Sequence, residues 1–597
     1  MKKLLLLIAL FALTFSLAAC KKDDADPECT APEVLVDGKC ELVSTTFVES
    51  ERVYDTSGTL AADQTLEWNI GADPATLDPG LNGASDGGDV INQTFEGLVR
   101  EINGEIYLGI AEEIVTSPDG LTVTFNLRES KWSDGSDLTA SDFVYSWLRA
   151  MDPDTASEYS WIWEYTNVVG AQAYAECDST EDDCDALRDA VGISADGLVL
   201  TVELMFPTDY FVSLMAFYHF NPVKQSAVEA TGGEDGLWAK DKDLVVSNGP
   251  FVLTDYRINY RLTLSKNDYY WNASNVVLSK IDGYFIDEES TAFTAFNNGE
   301  FHFIPSVPTA NVPALIATSD EFYVFPLLGT YYYSFNMDAD GDGVNEGYDQ
   351  DGLWSNMKLR TALSYSIDRK AITDTLAAGQ VPAGGFVPPG FLDHEGYDFF
   401  ETAGTYGLEI DDTNYAEAKL LFAEAAAELN MTEAELKTAL EAEELYHNTS
   451  EGHALVAAMV QQMWFSNLGF TMPLNNAEWA VFQVDRSEGN FSIARGGWLT
   501  DYMDPSGLLG IFASTNSYND PNFYNDDFDA LLAAAQATTD KKVHFEKLYD
   551  AQELFMGQMP IIPVYHYTDT MLVSDHLVDW GRSVLGTVDF SGARIVE

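Results

Sequence analysis

A stretch near the carboxyl-terminal end combines charged and aromatic side chains that could bind a small charged molecule. It spans residues 479–505 and reads WAVFQVDRSEGNFSIARGGWLTDYMDP. From residue 438 to residue 540 the only Lys or Arg are Arg486 and Arg495. A guanidinium pairs bidentately with a carboxylate, and the carboxylate of Asp501 can pair with an ammonium group. A site that offers both signs of charge suits a zwitterion, and a free peptide is such a molecule.

A simpler interpretation is that the two arginines only neutralise neighbouring carboxylates. Asp485 precedes Arg486, and Glu488 follows it. Most ion pairs at a protein surface contribute little free energy. The residue types in this stretch therefore leave both interpretations open.

The elements that would position these side chains follow from apolar patterning. Period-two alternation predicts strands, and apolar residues at helical spacing predict helices. Thr139 provides a capping start for the first of the helices. The predicted strands are residues 65–70, 121–127, 198–204 and 261–265, and the predicted helices are 139–149, 415–429 and 453–468. Mixed strands and helices over more than 500 residues indicate an α/β or α+β protein with several lobes.

The amino terminus predicts where the protein works. Lys2 and Lys3 precede an apolar run that ends at Ala19, which is typical of a secretory signal peptide over residues 1–19. The run has 16 residues, fewer than the roughly 20 that a membrane-spanning helix needs. It leads into Leu-Ala-Ala-Cys20, which resembles a bacterial lipobox, so Cys20 is the predicted lipid anchor. The alternative is an ordinary signal peptide with an accidental cysteine.

Four further cysteines predict disulfide bonds outside the cell. Cys29, Cys40, Cys177 and Cys184 allow three pairings. Local pairing, Cys29 with Cys40 and Cys177 with Cys184, is the simplest because each pair flanks a short polar loop. An oxidising exterior permits these bonds.

Charge and composition exclude several classes of protein. The chain has 31 Lys+Arg against 96 Asp+Glu, a net charge of −65, which argues against nucleic acid because phosphates would be repelled. It carries no HExxH, GxxxxGK[ST] or GxGxxG motif. We therefore expect a binding protein and not an enzyme, with no required cofactor.

One acidic loop has the ligand spacing of a calcium site. Oxygen ligands stand at loop positions 1, 3, 5, 9 and 12, a backbone carbonyl is available at position 7, and Gly343 occupies the sharp turn. Position 12 is an aspartate instead of the longer glutamate, which would weaken the site. The alternative is a solvated acidic turn. The predicted ligands are Asp338, Asp340, Asp342, Val344, Glu346 and Asp349.

Several segments in order resemble the oligopeptide-binding proteins of bacterial ABC importers, in family 5 of the extracellular solute-binding proteins. KWSDG followed by the DFVYSW helix is specific to this solute-binding group, and IARGGW followed by DY points to its oligopeptide branch. The matching segments, which together cover nearly the whole mature chain, include residues 73–79, 92–99, 131–159, 247–271, 329–336, 359–369, 446–453, 491–505 and 560–567.

The resemblance implies an α/β, two-lobed, periplasmic-binding-protein-like (type II) fold with an additional third domain and hinge closure around the ligand. A lipid-anchored tether, residues 20–49, would carry the Cys29/Cys40 loop. The implied parts are lobe I at 50–95, 204–280 and 568–597, an extra domain at 96–203, and lobe II at 281–567 with an acidic insertion at 338–351.

The resemblance also implies roles for individual residues. Asp501 matches the aspartate that receives the peptide amine, and Arg486 and Arg495 match basic residues that meet peptide carboxyl termini. Gly497 matches a position where the peptide backbone approaches closely. The matching cleft aromatics are Trp479, Trp498, Tyr159, Tyr332 and either Tyr565 or Tyr567.

The function so implied is that of an extracellular, lipid-anchored receptor. It would capture short peptides for an ABC importer, whose permease and ATPase subunits would be its partners. We expect a monomer on the outer face of the cell membrane or in the periplasm, with membrane contact through the anchor only. The alternatives are a same-fold receptor for a dipeptide, a sugar oligomer or a nickel complex, or a surface hydrolase or adhesin.

Overall fold

The structure of the protein is a computed structural model. It describes residues 34–36, 39–41, 45–47, 52, 54, 58–180, 182–208, 210–232, 236–337, 352–538 and 540–597. The signal peptide, Cys20, Cys29 and the loop 338–351 lie outside the described residues. The lipid anchor, the Cys29–Cys40 bridge and the calcium site therefore stay predictions.

A mixed central sheet of eleven strands dominates the described part of the chain. Its strands come from distant parts of the sequence, and both parallel and antiparallel pairs occur. In spatial order they are Phe251–Arg257, Arg261–Lys266, Lys280–Tyr284, Thr65–Asn69, Phe303–Ile304, Ile561–Val573, Phe322–Phe335, Ile493–Leu499, Leu445–Asn448 and Leu474–Ala477, with Val381–Pro382 also paired to Ile561–Val573.

A second sheet and several short ribbons complete the β-structure of the described residues. The second sheet has five strands, and its Thr122–Leu127 strand alternates half-buried and buried residues as its period-two sequence predicts. Its strands are Ile193–Asp196, Val199–Glu203, Thr122–Leu127, Ala111–Thr116 and Thr45–Thr46. The two-stranded ribbons pair Val34–Val36 with Lys39–Glu41, Val99–Ile102 with Glu105–Leu108, Ser130–Lys131 with Asp137–Leu138, Leu577–Val578 with Arg594–Ile595, and Gly581–Arg582 with Val588–Asp589.

Helices cover the sheets, and the predicted ones are confirmed to within a few residues. Thr139 and Asp142 form a capping box at the start of the Ala140–Met151 helix, in which Asp142 Oδ2 accepts the Thr139 N–H at 2.8 Å. Gly469, at φ +82°, ends the Glu451–Leu468 helix in the left-handed conformation that glycine adopts most readily. The other helices of at least seven residues are Ser85–Thr94, Glu289–Asn297, Val312–Thr318, Met357–Tyr365, Arg369–Leu376, Tyr415–Glu428, Glu433–Leu440, Trp479–Ser487, Asp526–Gln536 and Lys541–Gln558. The shorter ones are Ile162–Tyr165, Ala171–Ala175, Cys184–Asp189, Phe211–Leu214, Gln225–Val228, Phe399–Ala403 and Ser506–Leu509.

Two large hydrophobic cores hold these elements together. One core is built mainly from residues 66–281 together with the carboxyl-terminal segment 571–595. The other is built from residues 328–565. Two cores within one mixed α/β chain agree with the two-lobed fold that the resemblance implies, whereas the domain bounds themselves stay a prediction.

Two long strands connect the cores. Phe322–Phe335 and Ile561–Val573 pair antiparallel, and their register shifts between Pro326 and Thr330. Residues 331–335 and 561–565 lie in the second core, Met571 and Val573 lie in the first, and residues 567–570 between them are only partly buried. A thin crossing with an irregular register is a suitable place for a hinge.

The predicted local pairing of Cys177 with Cys184 is confirmed. The two cysteines form a disulfide bond with their Cα atoms 5.8 Å apart, and the bridge joins the region after one short helix to the start of the next. Among the described residues, no helix is long and apolar enough to cross a membrane.

Candidate functional site

A cavity of about 380 Å³ lies between the two cores. Tyr159, Phe217 and Tyr218 line it from the first core. Trp498 and Asp501 line it from the end of the Ile493–Leu499 strand, whose Ile493 lies in the second core. Its size falls in the range of small-molecule sites, roughly 300–1,000 Å³. A molecule bound here would contact both cores at once.

The Ile493–Leu499 strand carries the charged groups to the cavity. Arg495, Gly497 and Leu499 alternate along this strand, and Asp501 follows two residues beyond its end. All four line the cavity, and so do Trp498 and Thr500, which stand between them. The strand and the segment that follows it thus bring both charged groups to one space.

Asp501 is a buried carboxylate with one free oxygen. Its side chain is 5% exposed, and the Tyr159 hydroxyl from the opposite core donates to Asp501 Oδ1 at 3.3 Å. Asp501 Oδ2 is also buried and has no hydrogen-bond partner among the described residues. Burial raises the pKa of Asp501 well above its ordinary value, and the Tyr159 hydrogen bond opposes this effect. An ammonium group from a ligand would satisfy the free oxygen.

Arg495 is a half-buried residue whose guanidinium has no carboxylate partner among the described residues. Its Nη2 donates to the Tyr567 hydroxyl at 2.7 Å, and its Cζ lies 5.2 Å from the centre of the Tyr331 ring. Its Nε has no hydrogen-bond partner. The positive charge is therefore held by aromatic groups and is available to a ligand anion.

Arg486 is placed differently, because it already has an acidic neighbour. Its Nε lies 2.9 Å from Asp520 Oδ2, although the N–H is not aligned for a hydrogen bond. Burial raises the pKa of Asp520 to about 6, and the nearby Arg486 opposes this effect. The local carboxylates considered from the sequence have other partners: Asp485 accepts from Tyr446 at 2.6 Å, and Glu488 accepts from Asn490 at 3.0 Å. Arg486 lines the cavity but is partly neutralised by a residue that is distant in sequence.

Aromatic rings form one wall of the cavity. Trp498 lies 4.6 Å from Tyr518 and 6.3 Å from Tyr159, measured between ring centres, and its indole N–H donates to Gly507 O at 3.1 Å. Trp479, the first residue of the Trp479–Ser487 helix, also lines the cavity. Tyr518 was missed in the sequence, where it sits in a polar loop without any motif.

Tyr332 and Tyr565 do not line the cavity. Tyr332 points to the face of its strand opposite that of its neighbour Tyr331, and its ring contacts Phe386 and Phe512 in the second core. Tyr565 is buried against Tyr331, with ring centres 4.7 Å apart. Of the two tyrosines that the sequence could not separate, Tyr567 is the one that lines the cavity.

The first core contributes residues that sequence reasoning missed. Phe217 and Tyr218 stand in the aromatic run AFYHF, whose density was the available signal. Tyr159 packs against Phe217 with ring centres 5.1 Å apart. Within the described part of the chain, no group of three or more His, Cys, Asp or Glu side chains is arranged to hold a metal ion.

Comparison with known proteins gives a consistent result. The profile of the bacterial extracellular solute-binding proteins, family 5 Middle, matches residues 105–520. The chain is 36% identical over 527 residues to the oligopeptide-binding protein OppA of Bacillus subtilis, covering 86% of this chain and 89% of that protein. It is 33% identical over 551 residues to the periplasmic murein peptide-binding protein MppA of Escherichia coli, covering 90% and 94%.

Solved structures show the same likeness. The Escherichia coli murein tripeptide-binding protein MppA matches with a TM-score of 0.78 at 32% identity, covering 90% of this chain and all of that one. Haemophilus influenzae OppA in complex with RPPGFSPFR matches with a TM-score of 0.76 at 28% identity and the same coverage. Against the unliganded open form of MppA the TM-score falls to 0.62 at 32% identity, with coverage of 91% and 99%. The lobes of this chain are therefore arranged differently from those of that open form.

Proposed function

This chain belongs to family 5 of the bacterial extracellular solute-binding proteins, and on that premise we propose that it is a receptor for short oligopeptides. It binds a peptide by its two charged ends and its backbone and delivers it to an ABC importer. The names of its relatives support this choice of ligand, since OppA is an oligopeptide-binding protein and MppA a murein peptide-binding protein.

The observation that carries the proposal is a pair of opposite charges left open in one cavity. Asp501 has a buried oxygen without a partner, and the half-buried Arg495, whose Nε is buried, has no carboxylate partner among the described residues. Buried charges are costly unless they are paired. A zwitterionic ligand supplies both missing partners at once, whereas a neutral sugar supplies neither.

The spacing of the two charges limits the length of the ligand. Asp501 and Arg495 are six positions apart along the chain, so their Cα atoms are separated by at most ~20 Å. A fully extended peptide covers roughly 3.4 Å per residue. An extended peptide whose two ends pair with Asp501 and Arg495 therefore has at most about six residues.

Recognition of the ends and backbone explains how peptides of many sequences would be accepted. Backbone hydrogen bonds to a strand-like ligand are available whatever its side chains are. Water in the remaining space can adapt to each side chain. The site would thus discriminate more by charge and length than by sequence.

Closure of the two lobes would complete the site. The Tyr159 hydroxyl reaches Asp501 from the opposite core, and Ser517 Oγ donates to Glu158 O at 3.3 Å across the same boundary. The lower TM-score against an open relative supports the view that the lobes here are closed. Ligand contacts with both lobes would stabilise this form, which the permease then recognises.

The amino-terminal sequence supports a proposal for how the protein attaches to the membrane. We propose that Cys20 carries the lipid and that residues 20–49 act as the tether, which keeps the receptor at the outer face of the membrane near its importer. The strongly acidic surface supports attachment through lipid alone, because it would be repelled by anionic headgroups.

Mass spectrometry of the molecules that co-purify with the protein tests the proposal. We expect a mixture of short peptides with free amino and carboxyl ends, which are returned intact after incubation with fresh protein. A homogeneous non-peptide ligand would instead identify a receptor for another solute, and progressive shortening of the peptides would identify a hydrolase.

A further inference from the structure

We infer that Tyr567 is a positioning residue whose hydroxyl holds Arg495 in the orientation that binds a ligand carboxylate, and that residue 497 is glycine to leave room for this hydroxyl. The inference rests on the proposed function, because it assigns the groups that prepare one end of that site. It gives Tyr567 and Gly497 a role toward Arg495 and not only toward the ligand.

Three neighbouring strands bring the groups together. Arg495 and Gly497 lie on Ile493–Leu499, Tyr331 on the adjacent strand, and Tyr567 on the strand beyond it. Gly497 is opposite Tyr331, and Tyr331 is opposite Tyr565, two residues before Tyr567. The Tyr567 ring lies 6.1 Å from the Tyr331 ring, so it leans across the middle strand and places its hydroxyl above Gly497.

The space above Gly497 is already filled by this arrangement. A Cβ atom at residue 497 would lie 2.1 Å from the Tyr567 hydroxyl oxygen and 3.0 Å from Arg495 Nη2. Gly497 is not among the residues with positive φ, so its backbone conformation is open to other amino acids. An alanine at residue 497 would therefore suit the backbone but would have to displace the Tyr567 hydroxyl from its place beside Arg495.

A phenol is well suited to orient a guanidinium without neutralising it. The Tyr567 oxygen accepts the Arg495 Nη2–H at 2.7 Å, whereas a carboxylate in the same place would cancel the positive charge. Burial raises the pKa of the Tyr567 hydroxyl, so the group remains uncharged. The guanidinium is thus fixed in place while its full charge remains available to the ligand.

The first test compares peptide pairs that differ only at the carboxyl end. Calorimetry measures binding of peptides of two to six residues that carry either a free or an amidated carboxyl terminus. The proteins compared are wild type, Arg495→Gln, Tyr567→Phe and the double variant. The comparison uses the peptide lengths at which Arg495→Gln weakens binding of the free-acid peptide. At these lengths, we expect Tyr567→Phe to lower the affinity for the free-acid peptide about tenfold and the affinity for the amidated peptide less than twofold. In the double variant, the loss should be no larger than in Arg495→Gln alone.

A matched control removes an equivalent hydroxyl elsewhere. Tyr174 donates to Asp152 Oδ2 at 2.9 Å outside the cavity, and Tyr174→Phe should leave both peptide affinities unchanged. Gly497→Ala is an independent perturbation of the same contact, and its added methyl should reproduce the selective loss for the free acid. Equal losses on free and amidated peptides in Tyr567→Phe, or additive losses in the double variant, would overturn the inference.

A second readout does not depend on peptides. In a crystal structure of ligand-free Tyr567→Phe, we expect the Arg495 guanidinium to move or to occupy several rotamers. An unchanged, well-ordered Arg495 would refute the positioning role even if the protein proves to bind another solute. Failure of wild type to bind any peptide would instead count against the proposed function, and the crystal structure would still decide the role of Tyr567.

Discussion

Replacing Asp501 by asparagine should separate peptides with a free amine from peptides without one. The variant keeps the size of the side chain and an oxygen for the Tyr159 hydroxyl, but it removes the negative charge. The side chain is 5% exposed and its Oδ2 has no other partner, so the pair with a ligand ammonium would be fully buried. Loss of one partner of such a pair costs roughly 2–5 kcal/mol. Binding should therefore weaken by about 30-fold or more.

Calorimetry with matched peptides measures this effect. The same short peptide is titrated with a free amino terminus and with an acetylated one, into wild type and into Asp501→Asn. The acetylated peptide has no ammonium group, and its affinity should change by no more than about threefold. Equal losses for the two peptides would refute the assignment of Asp501 to the amine.

The same substitution, Asp501→Asn, should favour the folded state of the ligand-free protein at higher pH, although it weakens peptide binding. Because burial raises the pKa of Asp501 in the folded state above its unfolded value, the folded protein favours the protonated form. Wild type should therefore lose stability relative to Asp501→Asn as the pH rises from about 4 through the folded pKa. Thermal unfolding across this pH range checks the sign, and a growing advantage of wild type with pH would contradict it.

Three further outcomes are expected. Arg495→Gln should weaken binding of free-acid peptides by about 30-fold or more but spare amidated ones, measured by calorimetry; equal losses would place the carboxylate elsewhere. Burial raises the pKa of Asp520 from 3.8 to about 6, so the protonated form of Asp520 stabilises the folded protein by about 3 kcal/mol at low pH. This contribution to the free energy of unfolding should be lost as the pH rises from about 4 to 6. Urea unfolding of wild type against Asp520→Asn measures this, and a pH-independent difference would contradict it. Joint replacement of Cys177 and Cys184 by serine should lower the free energy of unfolding by about 2.5 kcal/mol, since the bridge closes a loop with a sequence separation of 7. Peptide affinity should not change, and a loss of affinity would link this loop to the site.

Local features of the fold could be predicted because they depend on residues close in sequence. The alternation in residues 121–127 and the cap at Thr139 each act within a few positions, and both are confirmed. The joining of Asp501 and Arg495 at one cavity was also predictable, since only six positions separate them along the chain.

The rest of the site depends on contacts between distant segments. The pairing of Arg486 with Asp520 joins a helix to a loop, and no pattern near either residue indicates it. Tyr332 was assigned to the cleft from the family resemblance, and only the strand register shows that its side chain points into the core. Tyr518 likewise reaches the cavity through the folding of a polar loop. Such contacts are set by tertiary packing and leave no local signal.

A crystal structure with a bound short peptide tests the central claim most directly. We expect the amino-terminal nitrogen of the peptide to lie within hydrogen-bond distance of Asp501 Oδ2 and the terminal carboxylate to contact Arg495. A peptide bound in the cavity with both ends away from these two residues would contradict it.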